Sequence, residues 1–262
     1  MTLNRKTLAK KLTFFISSFF IFLIHLPFVF AKNKPRNLGN RVSGVMREIK
    51  ITADTMLKPV QQMVTDPMAD LYESLKLKTM GLARQVFDYS MKGINRLKQA
   101  GRLQNDKVVT IVDFSQPSTS KRLYVIDLET KKVLFNTWVS HGKNTGENEA
   151  RSFSNTPESN KSSLGFYVTK STYQGKNGYS LQLDGQERGY NDNALNRGIV
   201  MHAADYVNAD FIQSQGRIGR SQGCPAVMPS LNQPIINTIK DGSCFFIYFP
   251  DESYLHRSQI LN

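Results

Sequence analysis

The spacing of apolar positions changes twice along this chain. Residues 12–30 form one nearly continuous apolar run. Between residues 69 and 100, Leu71, Leu75, Met80, Leu82, Val86, Phe87, Met91, Ile94 and Leu97 recur at steps of three and four, which predicts helix. Asp66-Pro67 is a fair N-terminal signal and Gly101 a fair stop, with Gly81 and Gly93 as points that divide the segment into two helices. From residue 107 the period shortens. Strands are predicted over 108–114, 122–128 and 133–139, with Glu129-Thr130-Lys131-Lys132 as the turn between the second and third. A long polar loop, rich in Asn, Ser and Gly, follows over 142–161. Further strands are predicted over 164–169, 179–183, 198–202 and 244–249, and a helix over 229–240 with Pro234 early and Gly242 just past its end. Short strands at near-regular spacing with one helix predict a mainly β fold with some α, a β-sandwich or partly open barrel preceded by a helical segment. No internal repeat is present.

The apolar run at the start reads as targeting rather than fold. Arg5, Lys6, Lys10 and Lys11 precede it, and Val29-Phe30-Ala31 allows cleavage after Ala31. An uncleaved anchor is the other reading, although His25 and Pro27 interrupt the run. Both readings put the rest of the chain outside the cytoplasm, in the periplasm or cell envelope. The expected organisation is a signal over 1–31, a linker over 32–64, a helical segment over 65–104, a catalytic domain over 105–253 and a tail over 254–262.

The formal charge of +13 invites a nucleic-acid partner, but the 34 Lys and Arg residues are scattered, with no run of five and no nucleic-acid motif. In an exported protein such charge suits contact with an anionic envelope surface. Four histidines, at 25, 141, 202 and 256, lack paired spacing, so no metal site is expected. The glycines form no phosphate-binding loop, and no cofactor is expected.

The candidate chemistry gathers between residues 198 and 227. His202 ends a predicted strand, and Cys224 follows 22 residues later in the turn Ser221-Gln222-Gly223-Cys224-Pro225. Imidazole is the usual partner of a nucleophilic thiol. Gly223 permits a tight turn that could aim the Gly223 and Cys224 amides at one oxyanion. Arg217 and Arg220, just upstream, could favour thiolate or hold a substrate carboxylate. Two cysteines in an oxidising compartment also allow a structural Cys224–Cys244 disulfide. Against that pairing, Cys244 lies in an apolar strand-like run where cysteine acts as a small apolar residue.

His202, its following loop and Ser221-x-Gly223-Cys224 resemble the catalytic motif of the L,D-transpeptidase family, a histidine and then Ser-His-Gly-Cys. Val139-Ser140-His141-Gly142-Lys143 resembles the family's strand ending in Ser-x-Gly, and Ser163-Leu164-Gly165-Phe166-Tyr167 a second family strand. The pieces FSNTPESNKSSLGFY, LDGQERGYNDNA and GRSQGCPA are similar to a divergent branch, the murein L,D-transpeptidase catalytic domain proteins. The resemblance covers about residues 105–250. It implies peptidoglycan stem peptides as partners, Cys224 as nucleophile and His202 as base. It also implies that the Ala203 carbonyl orients that base, that Ser221 is structural and that Gly223 is the turn glycine. Two positions depart from the motif: its second histidine is Gln222, and the Arg or Asn two residues after the cysteine is Ala226. Arg220 or Arg217 could replace the latter, and His141 could stand in for the former or be a loop histidine with no role. The resemblance implies acyl transfer through a thioester to an amine. An L,D-carboxypeptidase, a hydrolase of another amide or ester, and a non-catalytic peptidoglycan-binding module are its rivals.

Overall fold

The computed structural model describes residues 67–262, so the expected signal and linker lie outside the described residues. Among the described residues no helix is long and apolar enough to cross a membrane. The elements are α1 (Pro67–Ser74), α2 (Arg84–Gln99), β1 (Asn105–Asp113), β2 (Leu123–Asp127), β3 (Lys132–Thr137), β4 (Gly165–Gly175), β5 (Gly178–Gly185), β6 (Val200–Ala203), α3 (Ala209–Gln215), β7 (Ala226–Val227), α4 (Pro229–Ile239), β8 (Ser243–Tyr248) and α5 (Glu252–Arg257).

Strand β8 is buried along its whole length and forms the spine of one mixed eight-stranded sheet, in the order β3-β2-β1-β8-β4-β5-β6-β7. It runs parallel to β1 and antiparallel to β4, so its Cys-Phe-Phe-Ile run is covered on both faces and carries no polar alternation. The sheet curls until its two ends meet. Beyond β3 the chain continues past Val139, and Ser140 N–H donates to the Ala226 carbonyl of β7 at 2.8 Å. Ser221 N–H donates to His141 O at 2.9 Å, and Lys143 N–H to Ser221 O at 2.8 Å. The partly open barrel is therefore the architecture that forms, built from one sheet whose edges are stitched by residues 140–143 and 221–226.

Helix α2 buries Val86, Phe87, Met91, Ile94 and Leu97 in the same core as the sheet. Gly81 lies between α1 and α2, with φ +91°, and does separate two helices. Gly93 does not divide them: it sits inside α2, where a Cβ would stand 2.0 Å from the Phe166 ring. That ring stacks on Phe246 at 4.1 Å between centroids, so a bare backbone at Gly93 is what lets α2 approach the sheet.

The segment between β6 and β7 folds over its own small core of Ala204, Val207, Ile218 and Ala226, with Trp138 and Tyr206 packed against it. Asn208 caps α3 by accepting the Phe211 N–H at 2.7 Å, and Gly216 ends it at φ +70°. The final residues, expected as a tail, contribute Tyr254, Ile260 and Leu261 to the main core. Their anchor is Glu187, a buried carboxylate that accepts from Phe166 N–H at 2.8 Å, from the Tyr254 hydroxyl at 2.9 Å and from the Ser258 hydroxyl.

Gly93→Ala tests the helix–sheet contact. On an exposed helix the change gains about 1 kcal/mol, whereas collision with Phe166 should turn it into a loss of roughly 1–3 kcal/mol. Denaturant unfolding of the variant beside wild type gives the sign.

Candidate active site

Parallel pairing of β6 with β7 sets His202 opposite Ala226 and Ala203 opposite Val227. Cys224, two residues before Ala226, thereby comes beside Val200, whose N–H points to the Cys224 sulfur at 3.5 Å. His202 and Cys224 both line a cleft of about 640 Å³ at that edge of the sheet. No hydrogen bond joins them in this state.

His202 is buried, and its Nδ1 lies 2.7 Å from Ala203 O. A carbonyl only accepts, so the proton sits on Nδ1 and Nε2 keeps its lone pair. Burial pushes the imidazole below its ordinary 6.5, against the opposing effect of the Ala203 carbonyl. Burial likewise pushes the Cys224 thiol up, while the Val200 N–H, Arg197 and Lys176 act the other way. Neutral thiol and neutral imidazole are the resting forms these shifts favour. Cys224 and Cys244 are both free, and Cys244 is enclosed in β8. A structural disulfide is thus not formed.

The turn around Cys224 is held by hydroxyls. Ser221 Oγ donates to Cys224 O at 2.6 Å and accepts Gly223 N–H at 3.0 Å. Ser162 Oγ donates to Gly223 O at 3.1 Å. Gly223 has φ +127°, and a Cβ there would lie 2.8 Å from Lys161 O, so position 223 needs glycine on both counts. The expected pair of oxyanion donors is corrected here: the Gly223 N–H already has its acceptor in Ser221. Among the described residues the Cys224 N–H has none.

The other expected residues separate. Gln222 is exposed and lines the cleft. Arg220 lines it too, but its Nη1 donates to Lys143 O, Gly146 O and Glu147 Oε1, the last at 2.6 Å. Arg217 does not line the cleft; its Nε pairs with Glu147 at 3.1 Å. His141, 1% exposed, points away from the cleft beneath Phe114. Arg122 Nη2 donates to His141 Nδ1 at 2.8 Å, which leaves the ring proton on Nε2, directed at Gly146 O at 3.2 Å. Burial, then the Arg122 charge, lowers His141 to about 4. It is a neutral strut, and neither a stand-in for the missing motif histidine nor an idle loop residue. Ala226 is buried in the small core, where an arginine would not fit.

Sequence reasoning missed Arg197. It lines the cleft from the turn before β6. Its place directly before Gly198, at the start of the strand that carries His202, was the available signal. The hairpin residues Tyr173, Lys176 and Asn177 at the cleft mouth were missed as well. Among the described residues no group of three or more His, Cys, Asp or Glu could hold a metal ion.

The family model for the L,D-transpeptidase catalytic domain matches residues 78–248. No curated protein matches the chain. Among solved structures the chain is similar to an L,D-transpeptidase from Mycobacterium smegmatis, at 13% identity and TM-score 0.34, over 55% of this chain and 59% of that one. It is similar to the helical cell shape determining protein Pgp2 from Campylobacter jejuni, at 13% identity and TM-score 0.39, over 63% and 57%. It is also similar to an L,D-transpeptidase from Stackebrandtia nassauensis, at 16% identity and TM-score 0.34, over 63% and 68%. The chain thus spans about three fifths of the length of the Mycobacterium smegmatis protein.

Protonating His141 would set two cations against each other, so its stabilising contribution is present above the unfolded pKa of 6.5 and is lost as pH falls from there toward 4. The expected loss is on the order of a few kcal/mol. Unfolding free energies of wild type and His141→Gln between pH 7 and pH 4 check this: the variant should lose the steeper part of the slope.

Proposed function

This chain belongs to the L,D-transpeptidase catalytic domain family, and from that membership we propose that it is a peptidoglycan-modifying L,D-transpeptidase acting by cysteine acyl transfer. The observation that carries this reading is the parallel β6–β7 pairing, which brings the Cys224 thiol and the free Nε2 edge of His202 into one cleft. The cleft is lined by Lys143, Lys176, Arg197 and Arg220, with Glu158 the acidic residue among its lining. That balance suits a peptide carrying free carboxylates, as a stem peptide does.

In the proposed reaction His202 Nε2 takes the Cys224 proton, and the sulfur attacks the carbonyl ahead of the terminal D-Ala of a tetrapeptide stem. The Cys224 N–H donates to the tetrahedral oxyanion. As that intermediate collapses, the bond to D-Ala breaks, and the proton on His202 passes to the departing amine. A thioester remains on Cys224. An acceptor amine then attacks it and gives its proton to His202, and the sulfur leaves with a new amide formed. The acceptor is another stem, a D-amino acid or a protein lysine; water as acceptor would make the protein an L,D-carboxypeptidase. Ala203, through its carbonyl, keeps the imidazole in the tautomer this sequence needs.

The free, cleft-lining thiol favours this reading over a non-catalytic binding module, in which Cys224 would be inert or tied to Cys244. Export by the apolar N-terminal run, to the periplasm or cell envelope, belongs to the same proposal, as does contact of the basic chain with an anionic envelope surface.

Incubation of the protein with tetrapeptide muropeptides and excess D-Met, read by mass spectrometry, tests the proposal. Wild type should exchange D-Ala for D-Met, Cys224→Ala should not, and His202→Gln should be slower by roughly 100-fold or more. Exchange should fall off in acid, as His202 becomes protonated, at a pH below that of an ordinary imidazole because burial lowers its pKa. D-Ala release without exchange would make the protein the carboxypeptidase, and a fully active Cys224→Ala would end the cysteine mechanism.

A further inference from the structure

The cleft holds a cation whose position is fixed by the fold. Arg197 Nη1 donates to Ser154 O at 2.8 Å and to the Ser163 hydroxyl. Its Nη2 donates to Lys161 O at 2.6 Å and, at 3.3 Å, to Ser159 Oγ. All four partners are neutral oxygens of the loop between β3 and β4, and among the described residues no carboxylate pairs with this guanidinium. The group is half-buried, where its field is screened less than at the surface. Its Nη2 lies 3.4 Å from where a Cβ on Gly223 would stand, next to the nucleophile position. The Cys224 thiol donates to the carbonyl of Gly198, the residue after Arg197, at 3.6 Å.

The other charged groups around Cys224 differ in kind. Arg220 is paired with Glu147, a carboxylate it shares with Arg217. Lys143 and Lys176 are exposed, and Lys176 stands at the tip of the β4–β5 hairpin. Glu158 lines the cleft, Tyr206 borders it with a neutral phenol, and His202 rests neutral. Gln222 adds no charge from the motif position itself.

We infer that Arg197 is a positioning residue that favours ionisation of the Cys224 thiol through a fixed positive charge, the loop carbonyls keeping that charge in place without cancelling it. The inference rests on the proposed nucleophile and names what tunes it. Burial raises the Cys224 thiol, and Arg197, with the Val200 N–H, works against that rise.

Alkylation of Cys224 tests this without any peptidoglycan substrate. Iodoacetate and iodoacetamide each form the S–C bond with loss of iodide, and a fixed cation favours the anionic reagent. The rates for Cys224, identified by peptide mapping, should give an iodoacetate-to-iodoacetamide ratio above that of free cysteine. In Arg197→Met the ratio should fall several-fold. Reaction with iodoacetamide at neutral pH should slow by about tenfold, with the apparent thiol pKa moved up accordingly. Arg197→Lys should restore much of both, and Lys176→Met should change them less than Arg197→Met does. An unchanged ratio and pH profile in a folded Arg197→Met would overturn the inference. Should that variant not fold, the wild-type ratio in 0.5 M salt decides: a half-buried cation keeps it above the free-thiol value, and collapse to that value assigns the effect to surface lysines. Loss of muropeptide exchange is a separate readout, so failure of the enzyme reading and failure of this one are distinguishable.

Discussion

The whole site depends on two short strands lying parallel. Strand β7 is only two residues long, yet its pairing with β6 decides that Cys224 faces Val200 and shares an edge with His202. Such a short strand has little stability of its own. It holds because it is tied on its other side to the continuation of β3, through Ser140 and Ala226, and because Ala226 and Val227 are buried. Closure of the sheet and placement of the thiol are therefore the same event. A slip of one residue in this register would turn every side chain of β7 to the opposite face and remove the sulfur from the cleft.

Closure in turn rests on an unusual buried group. Arg122 is fully enclosed and donates to Val139 O, Gln116 O and His141, with its guanidinium over the Phe114 ring. Burial lowers its pKa to about 9, and Asp113 and Glu149 oppose that shift without forming an ion pair with it. A buried cation without a direct counter-ion is costly unless its donors are matched, and here carbonyls and one imidazole match them. What results is a rigid segment from Val139 to Gly142, the one against which Ser221 is bonded. The charge at Arg122 is spent on shape, far from any titration at neutral pH.

Strong periodicity made most of this fold legible from residues alone. The strands around β1, β2, β3 and β8 were readable because their apolar runs are long and their turns marked. So were His202 and Cys224, because thiol chemistry demands that pair and a glycine turn beside it. Helix α3 was not readable: none of its residues is buried, so it carries no apolar stripe. Strand β7 is too short for any period. Gly93 looked like a breaker because its reason for being glycine, the Phe166 ring, lies on a strand over seventy residues away. Arg217 and His141 were attractive for their charge and chemistry, but what they do is set by Glu147 and Arg122, partners no local pattern displays. Arg197 was overlooked for the converse reason, since all its partners are ordinary serines and carbonyls of a polar loop.

The distribution of acids completes the argument. The turn that carries Cys224 is fastened by Ser221, Ser162 and backbone groups, and no carboxylate takes part. A carboxylate anchor would have held the turn equally well, but its negative charge beside the sulfur would oppose thiolate. Glu147 instead sits where it engages Arg217 and Arg220, and Glu187 is enclosed on the far side with Tyr254 and Ser258. Hydroxyls supply rigidity without field, and of the acids only the exposed Glu158 lines the cleft. The positive potential left at the cleft is then set by Arg197 and the exposed lysines around it, an arrangement that favours ionisation of a half-buried thiol.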